Sequence, residues 1–291
     1  KLSADVLLRQ VHELDFDWVF FDLSPGLDPL DVGLFVLSDI PILITTPEPT
    51  AIRMTTQFLR ATLYQAIGYH PEAHDVRDEL LELLTNQPLA LNARSLRFDA
   101  PGATTRRIID ETTQNLEAYL IVNQVREGAE HDLGFVLAHA WHRELHLFPR
   151  VLASIDYADR RWFYNRRTTG LAPNRNEELL SNDIEVLGRM IRDINLVDLK
   201  YPRPVPMHGD VHPALRMGIN PQTGRNEVRQ HCRRLWEGYR RETAVALVFE
   251  DPEQRLATAE ELESSYRKVL TMPSESFTKS DVEEAARQME S

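Results

Sequence analysis

The chain of 291 residues has a single cysteine, Cys232, so it can build neither an intramolecular disulfide nor a cysteine-based zinc cluster. That usage fits a reducing, cytoplasmic setting. No stretch approaches the roughly 20 apolar residues that span a bilayer. The opening Lys1-Leu2-Ser3-Ala4-Asp5 does not resemble a secretory signal. Positive charge is in deficit, with 33 Lys and Arg against 45 Asp and Glu and a net charge of −12. This argues against broad non-specific nucleic-acid binding. Arg160, Arg161, Arg166 and Arg167 form a local basic patch, which reads as a solvated loop. No internal repeat occurs. The 42% hydrophobic and 27% charged content is ordinary for a globular chain, and the length suits one large core or one core plus an appendage.

What the chain does have is a recurring pattern in which short apolar runs end abruptly in a polar residue. Trp18-Val19-Phe20-Phe21 runs into Asp22, and Ile42-Leu43-Ile44 into Thr45-Thr46-Pro47-Glu48. Leu120-Ile121-Val122 runs into Asn123, and Val151-Leu152-Ala153-Ser154-Ile155 into Asp156. Continuous apolar runs of this length suit strands covered on both faces. The helical periods between them predict an α/β fold, a parallel sheet with crossover helices. In such sheets ligands bind beyond the carboxyl ends of the strands. Asp22, Glu48, Asn123 and Asp156 are therefore expected along one rim.

The intervening segments predict helices over 5–14, 31–37, 51–67, 76–84, 104–118, 133–145 and 177–194, with Thr50 as the N-cap of the third. Residues 68–111 form a longer excursion than an ordinary crossover needs, which predicts a helical insertion serving as a lid or partner surface. The stretch 199–224, with Tyr201-Pro202-Arg203-Pro204-Val205-Pro206, reads as a Pro-rich linker. Residues 225–291 then form a small helical partner-binding module, with helices over 225–241 and 259–270. The expected domain extents are 1–198, with the insertion, and 225–291.

Asp17-Trp18-Val19-Phe20-Phe21-Asp22-Leu23-Ser24-Pro25-Gly26 resembles the Walker B strand and switch of MinD/ParA-type P-loop ATPases. Thr45-Thr46-Pro47-Glu48-Pro49-Thr50 is similar to the next strand end in the flagellar-regulator branch, FlhG and FleN. Leu120-Ile121-Val122-Asn123-Gln124-Val125 resembles the adenine-side strand, and Val151 to Asp159 the strand and loop that close over the base. The order and intervals agree over roughly residues 5–195. The resemblance implies a P-loop NTPase-like fold that binds ATP and Mg²⁺. Asp22 would hold Mg²⁺ through water and serve catalysis, Gly26 would let an amide approach the γ-phosphate, and Asn123 would meet the adenine edge. Pro47, Glu48, Asp156 and Tyr157 would complete the nucleotide site.

One element of that family is missing. No G-x-x-x-x-G-K-[ST] loop occurs, and this is what cradles the phosphates. In the family it lies upstream of Asp22, in the part that would precede Lys1. The expectation is an N-terminal portion outside this sequence; the alternative is a degenerate, non-hydrolysing relative.

Other constellations point elsewhere. Met207-His208-Gly209-Asp210-Val211-His212-Pro213 is similar to the catalytic loop of aminoglycoside-phosphotransferase-like kinases. Leu215 stands where a metal-binding Asn is needed, however, and a polar turn is the better reading. His139, His142 and His146 share a helical face that could bind zinc, but a half-buried face with satisfied imidazoles is favoured. Met217-Gly218-Ile219-Asn220-Pro221 opens a stretch faintly similar to a J-like domain, without its H-P-D tripeptide. The tail Asp281–Glu290 is acidic and would be repelled by anionic lipid, so no membrane anchor is expected.

The resulting expectation is a bacterial cytoplasmic MinD/ParA-like switch for positioning or assembling a cellular structure. It would dimerise through its nucleotide face and meet an unidentified protein partner through 68–111 and 225–270. ATP hydrolysis requires the upstream loop. The alternative is a pseudo-ATPase scaffold.

Overall fold

Three of the four apolar runs pair into one sheet: β1 (Ile42–Thr45), β2 (Tyr119–Val125) and β3 (Arg150–Asp156). The computed structural model describes residues 3–14, 16–86, 100–126, 130, 132–157, 185, 187–189, 191–192, 212–241, 243–249 and 251–273. The strands lie in the order β1-β2-β3 and every pair is parallel, with Thr45 beside Val122 and Val125 beside Asp156. Helices join consecutive strands, as parallel pairing requires. The chain is thus α/β with a parallel sheet.

The central strand shows why the run is apolar throughout. Leu120 and Val122 face the main core, while Tyr119 and Ile121 meet Leu152 on the opposite face, where Leu187 and Ile191 cover them. Both faces exclude water, so alternation is lost. β1 is different. Leu43 is buried, but Ile44 is 65% exposed on an edge with no further strand among the described residues.

The fourth expected strand is a correction. Trp18-Val19-Phe20-Phe21 runs without helix or ladder, and Phe20 is 78% exposed. Hydrophobicity makes a run compatible with a strand, but a strand forms only when a neighbour accepts its backbone hydrogen bonds. No neighbour is paired with this run among the described residues.

Capping explains several helix boundaries. In α1 (Ala4–His12), Asp5 in the first turn pairs with Arg9 at 2.8 Å. In α2 (Pro29–Leu37), the Asp28 carboxylate accepts from the Leu30 N–H at 2.8 Å and Pro29 occupies the first turn. Helix α3 (Pro49–Tyr69) follows β1 and buries Ile52, Leu59, Leu63 and Ile67. It begins earlier than expected, with Glu48 rather than Thr50 at the cap position, because Pro49 is already suited to the first turn.

Within 68–111, α4 (Arg77–Asn86) is followed by α5 (Ala103–Asn115), which leads into β2. Ile108 and Ile109 enter the main core, and the Thr105 hydroxyl donates to Glu79 at 2.6 Å. Arg107 pairs with Glu72 in the turn after α3 and, within its own helix, with Glu111 at 3.1 Å, so α5 is tied to that turn by charge as well as packing. Helix α6 (Leu133–Leu145) is buried nearly all round. Gly134 permits its close approach to the sheet: a Cβ there would lie 3.0 Å from Val151 Cγ1 and 3.1 Å from Val122 Cγ2.

The C-terminal helices share this core. Val228, Cys232, Leu235 and Tyr239 of α7 (Arg225–Arg241) belong to the same apolar cluster as Leu120 and Trp141. Leu262 and Val269 of α8 (Pro252–Thr271) join them. Helix α8 starts before the expected residue 259 because Asp251 caps it, accepting from the Glu253 N–H at 2.8 Å. Residues 213–216, within the stretch read as a linker, form one helical turn, and Ala214, Met217 and Ile219 are buried nearby. The stretches 87–99, 158–184, 201–211 and 274–291 lie outside the described residues. They contain the basic patch, the Tyr201–Pro206 run, His208, Asp210 and the acidic tail.

Candidate functional site

Parallel pairing delivers the ends of β1, β2 and β3 to one side of the sheet, and the expected site residues follow those ends. They fall into two neighbouring groups. Asp22, Gly26 and Glu48 line a cleft of about 750 Å³, with Gln124 reaching it from β2. Asn123, Asp156 and Tyr157 are not among the lining residues and stand further along the rim. Pro47, half-buried, lies between the lining residues Thr46 and Glu48.

Arg126, which the sequence analysis did not single out, connects the two groups. Its guanidinium reaches Glu48 at 4.0 Å and lies 4.6 Å over the Tyr157 ring. The Tyr157 N–H in turn donates to the Val125 carbonyl at 2.7 Å. The residues just beyond the three strands are thereby laced together: Glu48 after β1, Arg126 after β2, Tyr157 after β3. All are solvent-accessible, so the lacing is weak and can rearrange. A basic residue directly after a strand, beside an acidic and an aromatic strand end, was the available signal.

The second missed feature is a bulge in β2. The register shifts between Asn123 and Val125, and Gln124 adopts a φ of 63°. Left-handed backbone at a non-glycine residue costs about 1–2 kcal/mol, so something must hold it. The Asn123 Oδ1 accepts from the Gln124 N–H at 2.9 Å and supplies part of that hold. The bulge aims Gln124 into the cleft. Asn123 accordingly spends one acceptor position on its own backbone, while its amide NH₂ remains a donor.

The cleft itself is apolar with an acidic edge. Phe35, Met54 and Phe58 from α2 and α3 contribute to it, alongside Ile42, Leu43 and Ile44. Asp22 and Glu48 supply its carboxylates, and no Lys, Arg or His occurs among its described lining residues. A Cβ at Gly26 would meet nothing within 4 Å, so this chain's own packing does not require glycine there. A triphosphate needs cationic or amide donors, and two carboxylates repel it. The described lining therefore does not fit the phosphates of ATP unaided. No group of three or more His, Cys, Asp or Glu suited to a metal occurs among the described residues.

On the histidine face of α6, His139 packs against α7. His139 is fully buried, with Nδ1 2.8 Å from the Tyr239 hydroxyl on α7. Burial, with Arg143 and His142 nearby, holds its pKa well below the usual imidazole value. Tyr239 is pushed the other way by the same burial. His146 ends α6 in the left-handed conformation at φ 56°. His212 belongs to a cap, its Nδ1 accepting from the Ala214 N–H at 3.1 Å. Cys232 is buried and its thiol is pushed up to about 12, which leaves it unreactive at neutral pH.

No family model matches this chain, and no curated protein or solved structure does so either. No helix among the described residues is long and apolar enough to cross a membrane.

Proposed function

We propose that this chain is the base-side and partner-facing part of a MinD/ParA-like nucleotide-dependent switch, which positions or assembles a cellular structure. The observation that carries the reading is the shared rim of a parallel sheet. Glu48, Arg126 and Tyr157 are laced together there, and Asp22 lines the same cleft as Glu48. Under this reading Asp22 is the Mg²⁺-side carboxylate, Gly26 and Pro47 shape the loops beside the nucleotide, and Asn123, Asp156 and Tyr157 face the base. The reading requires phosphate-binding donors beyond the described lining, which contains no Lys, Arg or His. ATP turnover is accordingly a property of the complete nucleotide site. Dimerisation through the nucleotide face, a protein partner on 68–111 and 225–270, and a cytoplasmic location belong to the same proposal.

The acidic, apolar lining favours a second reading, a scaffold that keeps the α/β fold for binding alone. ATP binding and turnover by the full-length protein and its Asp22→Ala variant separate the two. Tight Mg-ATP binding retained in the variant, with turnover lost, supports the switch. Absence of nucleotide binding in both overturns it and leaves the scaffold.

A further inference from the structure

Helix α7 is strongly basic, with six arginines against two glutamates, on a chain whose net charge is −12. Its apolar stripe of Val228, Cys232, Leu235 and Tyr239 is spent on the core. Arg229, Arg233, Trp236 and Arg240 follow at helical spacing and form a second row, along the flank that adjoins α8. Arg229 donates to the Leu270 carbonyl and so ties α7 to the end of α8. Trp236, half-buried, sets its ring 5.8 Å from that of Tyr266 on α8, and the Arg240 guanidinium lies 5.0 Å over the Trp236 ring. The two helices therefore meet in a seam with aromatic rings at its centre and arginines along its rim. Those arginines are held only by exposed contacts. Arg233, 63% exposed, meets Glu237 at 3.3 Å, and Arg267 of α8, 75% exposed, meets Glu263 at 2.7 Å. Exposed pairs of this kind contribute little and exchange readily for a better partner. Arg267 first, and Arg240 with it, hold the Glu263 carboxyl below its usual value, which marks the local excess of positive charge.

Charge and spacing define what the seam can hold. Arg233 and Arg240 stand two turns apart, about 10 Å along the helix, with Trp236 between them. Guanidinium groups take carboxylates bidentately, and Trp, Tyr and Arg are the side chains that anchor interfaces. A facing helix with the pattern Glu-x-x-Phe-x-x-x-Glu brings an apolar anchor to the rings and one carboxylate to each flanking arginine. A phosphodiester backbone is a poorer match. Glu237 and Glu263 interrupt the cations, and the acidity of the whole chain opposes a polyanion of high charge density. We propose that the α7–α8 seam is the docking surface for an acidic amphipathic helix of a partner protein. Its apolar side chain rests on Trp236 and Tyr266, and its carboxylates take Arg233, Arg240 and Arg267. This rests on the reading of 225–270 as partner-facing and does not depend on nucleotide binding.

Fluorescence anisotropy tests it, with the 291-residue chain and a fluorescein-labelled helical peptide carrying Glu-x-x-Phe-x-x-x-Glu on a background of Ala and Gln, without nucleotide. Arg233→Ala/Arg240→Ala should weaken binding at least about tenfold. Its circular dichroism and thermal midpoint should stay close to the parent's, because both side chains are exposed. Arg9→Ala/Arg53→Ala removes the same charge from exposed positions elsewhere and should bind as the parent does. Replacing the peptide's Phe by Ser should also cost about tenfold. Absence of binding, equal loss in the two double variants, or unchanged affinity for the Ser peptide overturns the proposal. Tighter binding of a single-stranded oligonucleotide of equal charge, lost in Arg233→Ala/Arg240→Ala, assigns the seam to nucleic acid and also overturns it. A protein that binds Mg-ATP but not the peptide keeps the nucleotide reading and loses the seam; one that binds the peptide but not Mg-ATP does the reverse.

Discussion

The Arg126 guanidinium lies 4.6 Å above the Tyr157 ring while reaching Glu48 at 4.0 Å, so one side chain spans the ends of all three strands. Cation–π contacts at exposed sites contribute about 0.5–1 kcal/mol, and exposed ion pairs less than about 1. Arg126→Ala should therefore lower stability by no more than about 2 kcal/mol. Urea denaturation measures this. A larger loss would mean that the rim is part of the core and not an adaptable surface.

The buried His139–Tyr239 pair makes stability depend on pH. The folded-state pKa of His139 lies below its unfolded value of 6.5. Between those two values the unfolded chain binds the proton and the folded chain does not. Stability from this group is thus complete above pH 6.5 and declines as pH falls below it, by at most about 1.4 kcal/mol per pH unit. The double variant His139→Phe/Tyr239→Phe removes both polar partners and should flatten that part of the curve. Denaturation midpoints at pH 7.5 and 5.5 provide the check.

Arg60 and Glu144 join α3 to α6 across 3.6 Å, with Glu144 almost wholly buried. Removing one partner of a buried pair typically costs about 3–5 kcal/mol, because the other charge stays desolvated. Glu144→Ala should fall in that range. Arg60→Met/Glu144→Leu should recover most of the loss, and a double variant no better than the single would refute this account. Chemical denaturation of both variants decides it.

Helix α7 crosses α6 closely at one point, where a Cβ on Gly238 would lie 2.9 Å from Val136 Cγ2. Gly238→Ala should cost about 1–3 kcal/mol by overpacking, and Val136→Ala should rescue it partly. Thermal unfolding followed by two probes, one near Trp141 and one near Trp236, should also remain a single transition. Separate transitions would show that the C-terminal helices do not share the core of the sheet.

The β2 bulge is held by a local contact, the Asn123 amide on the Gln124 N–H. Gln124→Gly relieves the left-handed backbone and should be neutral or stabilising by up to about 1 kcal/mol. Asn123→Leu should destabilise by a similar amount through the loss of that acceptor. Thermal denaturation of the two single variants tests this, and the opposite signs are the diagnostic result.

The sequence by itself determined the parallel sheet, through apolar runs at β1, β2 and β3, and it placed most helices within a few residues. Periodicity and capping are local, and local chemistry was enough for them. Tertiary structure decided the rest. Trp18–Phe21 has the composition of a strand yet pairs with no neighbour among the described residues, because pairing depends on a neighbour that composition does not specify. The bulge at Gln124, the Arg126 link and the absence of cations from the described cleft lining arise from how strand ends meet in space. His139 was legible as part of a helical face, but its partner lies 100 positions away on α7. Contacts that distant are set by packing, and packing assigned that histidine to structure.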